Sequence, residues 1–275
     1  MAELGYRDGA NFIMDYVQIP SVSEAEYKAG YLKLIERGVD IIVSGGPEIS
    51  LRAAMAVAGT RPIVMVAIDY DPLARGYVKS LAWPGGNVTG VFLEQIELAE
   101  KRVQVLQDAV PNLRGVTGFW DAVSADQWKA TEAAAEKLSL KLKGIELREH
   151  PYDYEQALAQ VPPDYRGALI VMTSPTLMSD RARIGDFAIQ HRIPTISPTR
   201  EFVDGGCLLS YGANLATMYA RAADYVDRIA KGAKPADIPI EQPTKFELVI
   251  NRKTARSLGI SIPPTLIARA DEVID

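Results

Sequence analysis

Polar residues and glycines follow two apolar runs in the first third of the chain. Ser44-Gly45-Gly46 comes after residues 39–43, and Asp69-Tyr70-Asp71 comes after residues 62–68. Both runs are short, rich in β-branched residues and without polar alternation, as in strands buried on both faces. The serine hydroxyl and the glycine amides suit a ligand carboxylate, and either aspartate suits an amino group. These residues are therefore candidate ligand contacts.

A purely structural interpretation of the same residues stays open. Gly45 and Gly46, followed by Pro47, also suit a tight turn into the helix predicted over 48–58. Glu48 weakens an anion site there, because a carboxylate in the first turn already uses the helix dipole. The two aspartates would equally serve to cap a helix that starts after Pro72.

Three more strand ends, in the second series of strands and helices, carry candidate residues, namely Trp120 and Asp121, Thr173 and Ser174, and Thr199 and Arg200. The tryptophan is suited to stack on an aromatic or flat ligand, and the arginine to form a fork to a ligand carboxylate. Two structural alternatives remain. The tryptophan ring would pack in the core, or the arginine would pair with Glu201 or Asp204 at the surface.

Residues for catalysis or metal binding are scarce. His150 and His191 are the two histidines, and they lie on different predicted elements without a partner at metal-ligand spacing. Neither a nucleophile elbow nor a phosphate-binding loop occurs in the sequence. The single cysteine, Cys207, lies in a predicted buried strand, where a thiol behaves as a small apolar group. We expect a protein that is not an enzyme and needs no metal or cofactor.

The candidate residues lie on an alternation of strands and helices. Apolar periodicity and Gly or Pro stop signals predict strands over 11–17, 39–43, 62–68, 88–92, 113–120, 142–147, 167–173, 194–197, 207–212 and 246–250. The same signals predict helices over 23–37, 48–58, 73–81, 94–110, 125–138, 154–161, 177–190 and 215–231. Two successive series of this kind predict an α/β fold with two doubly wound, Rossmann-like lobes.

Length and composition agree with two lobes and exclude several classes of protein. The chain has 275 residues, of which 48% are hydrophobic and 24% charged, as in a globular protein. Its net charge of −5 argues against nucleic acid as a partner, which requires a basic face. No run of eighteen apolar residues predicts a membrane span, and residues 1–9 have no apolar core of a signal peptide.

Four segments resemble a family of bacterial ABC-importer substrate-binding proteins. They are residues 84–90 (PGGNVTG), 200–212 (REFVDGGCLLSYG), 242–251 (QPTKFELVIN) and 262–274 (IPPTLIARADEVI). The likeness extends over essentially the whole chain. This family has the periplasmic-binding-protein type I fold, and some of its members are associated with aromatic amino acids.

The resemblance implies a hinged clamp with three crossings and a ligand cleft between the lobes. Lobe one would comprise residues 1–113 and 207–240, and lobe two residues 114–206 and 241–275. Such a protein would be a monomer that captures a small solute, with an aromatic amino acid preferred, and delivers it to the membrane permease of an ABC importer. The resemblance also implies a periplasmic or other extracytoplasmic location.

Two departures from the family pattern affect these expectations. Members of the family begin with a signal segment, a central strand and its helix, whereas this chain starts where that helix would end, at residues 4–6. We expect a truncated form, unless another strand fills the gap. Where members often carry Asn-Pro, this chain has Asp121-Ala122, so the ligand preference is expected to differ.

Two other functions remain as alternatives. A cytosolic ligand-sensing regulatory module of the same fold would be favoured by a DNA-binding helix-turn-helix ahead of Met1. An enzyme with two α/β lobes, such as a racemase or an aldolase, would require paired acid and base residues, which the sequence does not offer.

Overall fold

The computed structural model describes residues 1–19 and 22–275 and divides into two compact units. Unit 1 comprises Met1–Glu94 and Leu215–Thr244, and unit 2 comprises Gln95–Asn214 and Lys245–Asp275. The lobes expected from the sequence differ from these units in three segments, 95–113, 207–214 and 241–244. The lobe limits expected from the sequence were placed at the hinge crossings, and they stay a prediction.

Unit 1 contains a parallel sheet in the order β1-β2-β3. Its strands and helices are α1 (Glu24–Glu36), β1 (Ile42–Gly46), α2 (Glu48–Ala58), β2 (Ile63–Ile68), β3 (Val88–Leu93) and α9 (Leu215–Ala230). In the sheet register, Ile42 is paired with Ile63, which is paired with Val88. The parallel pairs confirm the strand–helix–strand order predicted over residues 39–68.

Local signals explain where the first helices of unit 1 begin and end. The side chain of Ser23 accepts a hydrogen bond from the amide of Glu26 and so caps α1. Pro47 precedes α2, and Gly59, at φ 62°, ends it. The start and the end of α2 both depend on neighbouring residues only. The sequence therefore predicted α2 at the residues where the structure has it.

Unit 2 contains a larger sheet in the order β10-β9-β8-β7-β6-β4-β5, in which β8 and β9 pair antiparallel and the other neighbours pair parallel. Its strands are β4 (Gly115–Trp120), β5 (Lys141–Glu146), β6 (Leu169–Val171), β7 (Thr195–Ser197), β8 (Leu209–Gly212), β9 (Glu247–Asn251) and β10 (Glu272–Ile274). Its helices are α3 (Ala99–Ala109), α4 (Ala125–Lys137), α5 (Tyr154–Ala159), α6 (Pro175–Ser179), α7 (Arg181–Gln190), α8 (Arg200–Asp204), α10 (Arg252–Leu258) and α11 (Pro264–Ile267).

Each unit has a hydrophobic cluster of its own. The cluster of unit 1 surrounds β2, where Ile63 and Met65 are fully buried, and that of unit 2 surrounds β4, β6 and α3. Helix α3 packs on β8 and α4, which explains why residues 95–113 belong to unit 2. The α/β fold with parallel sheets predicted from the sequence is confirmed.

Two predicted elements are wrong. Residues 11–17 form no strand, and Ile13, Met14 and Tyr16 are exposed there, because a strand requires a hydrogen-bonded partner and the stretch has only a bridge between Asp8 and Phe12. Residues 73–81 form turns and bends and no helix, since Gly76, at a left-handed φ of 75°, interrupts the turn that follows Asp71.

Several boundaries also differ from prediction. The helix predicted over 177–190 is divided into α6 and α7, and the one predicted over 94–110 begins with a 3-10 turn, Gln95–Leu98. The short elements α8, α10, α11 and β10 were not predicted, because three to seven residues are too few to show a periodicity. In the described part of the chain, no helix is long and apolar enough to cross a membrane.

Candidate ligand-binding site

Ser44, at the carboxyl end of β1, lies in a buried triangle of hydroxyl groups. The Tyr31 hydroxyl donates to Ser44 Oγ at 3.1 Å and lies 2.7 Å from Ser50 Oγ, and the two serine oxygens are 3.1 Å apart. Burial raises the pKa of Tyr31, which keeps this hydroxyl protonated. The triangle ties β1 to α1 and α2, so the hydroxyl of Ser44 serves the packing of unit 1.

The two glycines that follow Ser44 belong to the strand and not to a loop. Gly46 has a φ of 97°, which favours glycine, and a Cβ atom at Gly45 would lie 2.5 Å from the hydroxyl of Tyr219. Tyr219, on α9, is 46% exposed and therefore brings a partly accessible phenol to this strand end. Sequence reasoning missed Tyr219, because it stands 174 positions beyond Gly45.

The residues after β2 are held by the unit itself. Asp69 adopts a φ of 66°, and its amide donates to the carbonyl of Leu93 at 2.8 Å. Tyr70 is buried and packs edge to face on Tyr77, and burial raises its pKa. Asp71 Oδ1 accepts from the amides of Leu73 and Ala74 at 2.7 and 3.2 Å, although the helix that it was expected to cap is absent.

In unit 2, the buried carboxylate of Asp121 joins three segments at the carboxyl end of β4. Its Oδ1 accepts from the amide and hydroxyl of Ser124 at 3.1 and 3.0 Å. Its Oδ2 accepts from Tyr152 at 3.1 Å and from the hydroxyl of Ser174. Burial, reinforced by this carboxylate, raises the pKa of Tyr152. Asp121 and Ser174 thus position the loops of this edge.

The sheet register brings three predicted contacts into one row. Thr117 of β4 is paired with Leu169 of β6, which is paired with Thr195 of β7. Continuing both pairings by four residues places Asp121, Thr173 and Thr199 side by side, just beyond the strands. Ligands of parallel sheets bind at this edge.

Trp120 is half-buried and stacks on Trp128 of α4, with ring centroids 6.0 Å apart and an angle of 5° between the planes. Two glycines of the sheet accommodate Trp128, because a Cβ atom at Gly118 or Gly144 would lie 2.3 Å from its ring. Sequence reasoning missed this partner, although glycines inside β4 and β5 mark a close approach. The pair places an indole at the end of β4.

Arg200 is engaged within unit 2. Its guanidinium forms a fork to the carboxylate of Glu272 and lies 3.3 Å from Asp204. The hydrogen bonds to Glu272 are the main cause of its raised pKa. The surface-pairing alternative therefore describes Arg200 best, with Glu272 as a partner that the sequence did not indicate.

The histidines and acidic groups form no metal centre within residues 1–19 and 22–275. His191 lies 2.8 Å from Glu155, and His150 lies 3.8 Å from Asp180. Cys207 is fully buried, and burial raises the pKa of its thiol to about 12. None of these residues lies in the row at the carboxyl edge of β4, β6 and β7.

Comparisons with known proteins identify the family of the whole chain. Residues 1–274 match the family described as ABC transporter substrate binding protein. A tyrosine-binding protein of Clostridioides difficile (strain R20291) is 22% identical over 263 residues, which cover 94% of this chain and 74% of that protein.

Two solved structures resemble the chain over 99% of its length. A conserved domain protein of Vibrio cholerae has a TM-score of 0.85 with 24% identity and is covered to 90%. An ABC domain of Streptococcus pneumoniae in complex with L-Trp has a TM-score of 0.82 with 25% identity and is covered to 91%. The structural neighbours share the type I periplasmic-binding fold. The chain therefore belongs to the ABC transporter substrate-binding protein family, whose role is to bind and not to catalyse.

Proposed function

We propose that this protein captures an aromatic amino acid and delivers it to the permease of an ABC importer. The family match over residues 1–274 carries the proposal, because members of this family bind small molecules and act with a membrane permease. The aromatic preference rests on two similar proteins, one named tyrosine-binding and one solved with L-Trp. Both likenesses cover more than nine-tenths of the chain.

The stacked pair of Trp120 and Trp128 supports an aromatic ligand. Aromatic rings gain about 0.5–1.5 kcal/mol from offset or edge contacts beyond the area that they bury. Trp128 packs against the glycines of β4 and β5, and Trp120 stacks on Trp128. Because the indole of Trp120 is already ordered, it loses little side-chain entropy when a ligand binds. A held ring of this kind suits the flat side chain of tyrosine or tryptophan.

The other residues at the carboxyl ends of β4, β6 and β7 hold the loops in place and add polar groups. Asp121 fixes the positions of Ser124, Tyr152 and Ser174, and Thr173 and Thr199 add hydroxyl groups to the same row. A preorganised edge loses little free energy in ordering loops when a solute binds. We propose further that the protein acts as a monomer outside the cytoplasm, where the family typically occurs.

The regulatory alternative is not favoured. Solved structures of transcription regulators resemble the chain with TM-scores of 0.52–0.53 and 11–14% identity, which reflects the shared fold alone. The family match and the more similar proteins both concern transport or solute binding.

A thermal-shift panel tests the proposal. L-tyrosine, L-tryptophan and L-phenylalanine are compared with their D enantiomers and with L-leucine, L-lysine and L-glutamate. A ligand at 100 times its Kd adds about 2.7 kcal/mol to the free energy of unfolding, which raises Tm by several degrees. We expect the L-aromatic amino acids to raise Tm, and titration calorimetry then gives their Kd.

A clear shift with a different chemical class would overturn the aromatic preference and leave solute binding in place. No shift with any small metabolite would contradict the capture function. The D enantiomers serve as the control for specific binding, because they present the same ring with a different head-group geometry.

A further inference from the structure

Three buried side-chain atoms at the carboxyl edge of unit 2 have no hydrogen-bond partner. Within the described residues, the buried side-chain oxygens without a partner are Thr173 Oγ1, Thr199 Oγ1 and Glu201 Oε2. All three follow β6 or β7, and continuing the register of those strands by three residues beyond Ile170 and Ile196 pairs Thr173 with Thr199. Buried polar atoms are nearly always satisfied in folded proteins, so three unpaired atoms in the two segments that follow β6 and β7 call for an explanation.

The two threonines are held firmly while their hydroxyl groups stay unpaired. The amide and carbonyl of Thr173 both bind the side chain of Gln127, at 2.9 and 2.7 Å. The carbonyl of Thr199 accepts from Ser197 Oγ at 3.2 Å. Thr199 is only 1% exposed, so its hydroxyl has no access to bulk water as an alternative partner.

Thr199 also contrasts with the residue in the corresponding place after β6. Ser174 precedes α6 and accepts a hydrogen bond from the amide of Leu177 at 3.1 Å. Thr199 precedes α8 in the same way but accepts no such bond. A threonine in this position usually caps its helix, so here the hydroxyl remains available for another group.

The charge at this place is negative. Arg200 is committed to Glu272 and Asp204, and among the described residues no cation lies within ion-pair distance of Glu201. A buried carboxylate oxygen without a donor is costly, and a ligand that brings a positive donor removes that cost.

We propose that Thr173, Thr199 and Glu201 bind the head group of an α-amino acid. Glu201 accepts hydrogen bonds from the α-ammonium group, and the two hydroxyls donate to the α-carboxylate. Asp121 is a positioning residue, because it holds Ser174 next to Thr173. This subsite deepens the proposed function and rests on its premise that the solute is an amino acid. Because it recognises only the head group, it does not depend on the aromatic preference.

The first experiment is a titration of wild-type protein and Glu201→Gln with L-tyrosine, tyramine and 3-(4-hydroxyphenyl)propionate. Tyramine keeps the ammonium group, and the propionate keeps the carboxylate. Loss of a charge-assisted hydrogen bond is expected to weaken L-tyrosine binding by E201Q at least about tenfold. The propionate, which has nothing to offer Glu201, should bind E201Q no more weakly than it binds the wild type. Glu132→Gln, on the exposed face of α4, is the matched control.

The second experiment needs no ligand. Thr195 is the first residue of β7 and Thr199 follows that strand by two residues. Each is 1% exposed, but Thr195 Oγ1 accepts from the amide of Leu208 at 2.7 Å. We expect Thr195→Val to lower Tm, because it leaves that amide unpaired, and Thr199→Val to leave Tm unchanged or raise it. In titrations, T199V should weaken the binding of L-tyrosine and should not change the binding of tyramine.

The possible results separate this proposal from the proposed function. If aromatic amino acids bind and E201Q and T199V bind them like the wild type, the subsite is wrong and the capture function stands. If the wild type binds a non-aromatic amino acid and E201Q weakens it, the subsite stands and the aromatic preference falls. If no α-amino acid binds the wild type, both proposals fall. A loss of Tm in T199V as large as that in T195V would mean a structural role and would also overturn the subsite.

Discussion

At the scale of single residues, Trp120 is the side chain whose substitution tests the aromatic ligand most directly. We predict that Trp120→Ala weakens the binding of the best aromatic amino acid at least about tenfold, because the ring contact and its buried area are lost. The ring is half-buried and stacks on Trp128, which stays in place against Gly118 and Gly144. Calorimetry gives the affinity, and circular dichroism checks that the variant is folded.

Trp83→Ala is the matched control for this experiment. Trp83 is 53% exposed in unit 1, where it lies beside Lys79 and donates to Asp237 at 3.1 Å. We expect its removal to leave the affinity unchanged. An affinity of Trp120→Ala equal to that of the wild type would remove Trp120 from the site.

Asp121 has a different role at the same scale, since both of its oxygens are engaged within unit 2. We predict that Asp121→Ala lowers the free energy of unfolding by roughly 2–4 kcal/mol, because it leaves several buried donors unpaired. Urea unfolding followed by circular dichroism measures the change. Asp186→Ala, at an exposed position of α7, should stay within about 0.5 kcal/mol of the wild type. If both substitutions changed the free energy of unfolding only slightly, the hydrogen bonds of Asp121 would not hold the loops after β4 and β6 in place.

At the scale of elements, the contact between β2 and β3 depends on Gly90. Its φ is 136°, and a Cβ atom there would lie 2.1 Å from the carbonyl oxygen of Met65. We predict that Gly90→Ala lowers the free energy of unfolding by at least about 2 kcal/mol, because backbone strain and a backbone clash add together. Gly86→Ala is the control, since a Cβ atom at Gly86 would contact nothing within 4 Å. Equal urea midpoints for the two variants would contradict this prediction.

Elements with strong local signals were predicted well, and those without them were not. The helix predicted over 48–58 is α2, because its helix formers and Gly59 lie within one stretch of sequence. The stretch 11–17 has the apolar residues of a strand but forms none. Strand formation depends on a hydrogen-bonded neighbour, and neighbours are chosen by tertiary packing.

At the scale of the whole molecule, buried thiol and phenol groups lower the free energy of unfolding at alkaline pH. The native protein holds the thiol proton of Cys207 up to a pKa of about 12, whereas the unfolded chain loses it near the ordinary value of 9.0. Above pH 9 the unfolded state therefore binds fewer protons, and stability falls as pH rises. Burial raises the pKa of Tyr70 and Tyr154 as well, so these groups add to the loss at higher pH.

We predict that the free energy of unfolding is insensitive to Cys207 below pH 9 and then falls by up to about 1.4 kcal/mol per pH unit on its account. Urea midpoints measured at pH 8, 9 and 10 give the slope, and Cys207→Ala is the control that removes the thiol. The slope between pH 9 and 10 should be smaller in that variant, whatever its stability at pH 8. Equal slopes would mean that the thiol ionises alike in both states.

The sequence alone determined which segments become the strands and helices around residues 48–68 and which polar residues follow strands. Those properties depend on alternation, propensity and stop signals within about a dozen residues. It also determined the family, through segments spread along the whole chain.

Only the tertiary structure decided which of those polar residues are engaged and which are unpaired. Arg200 binds Glu272, 72 positions away, and Trp120 binds the ring of Trp128 on a helix. Thr195 lies in β7 and Thr199 two residues after that strand, and both are buried threonines, yet only the Thr195 hydroxyl has a partner. The physical reason is that the free energy of a polar or aromatic side chain depends on the groups packed around it, and those groups come from distant parts of the chain.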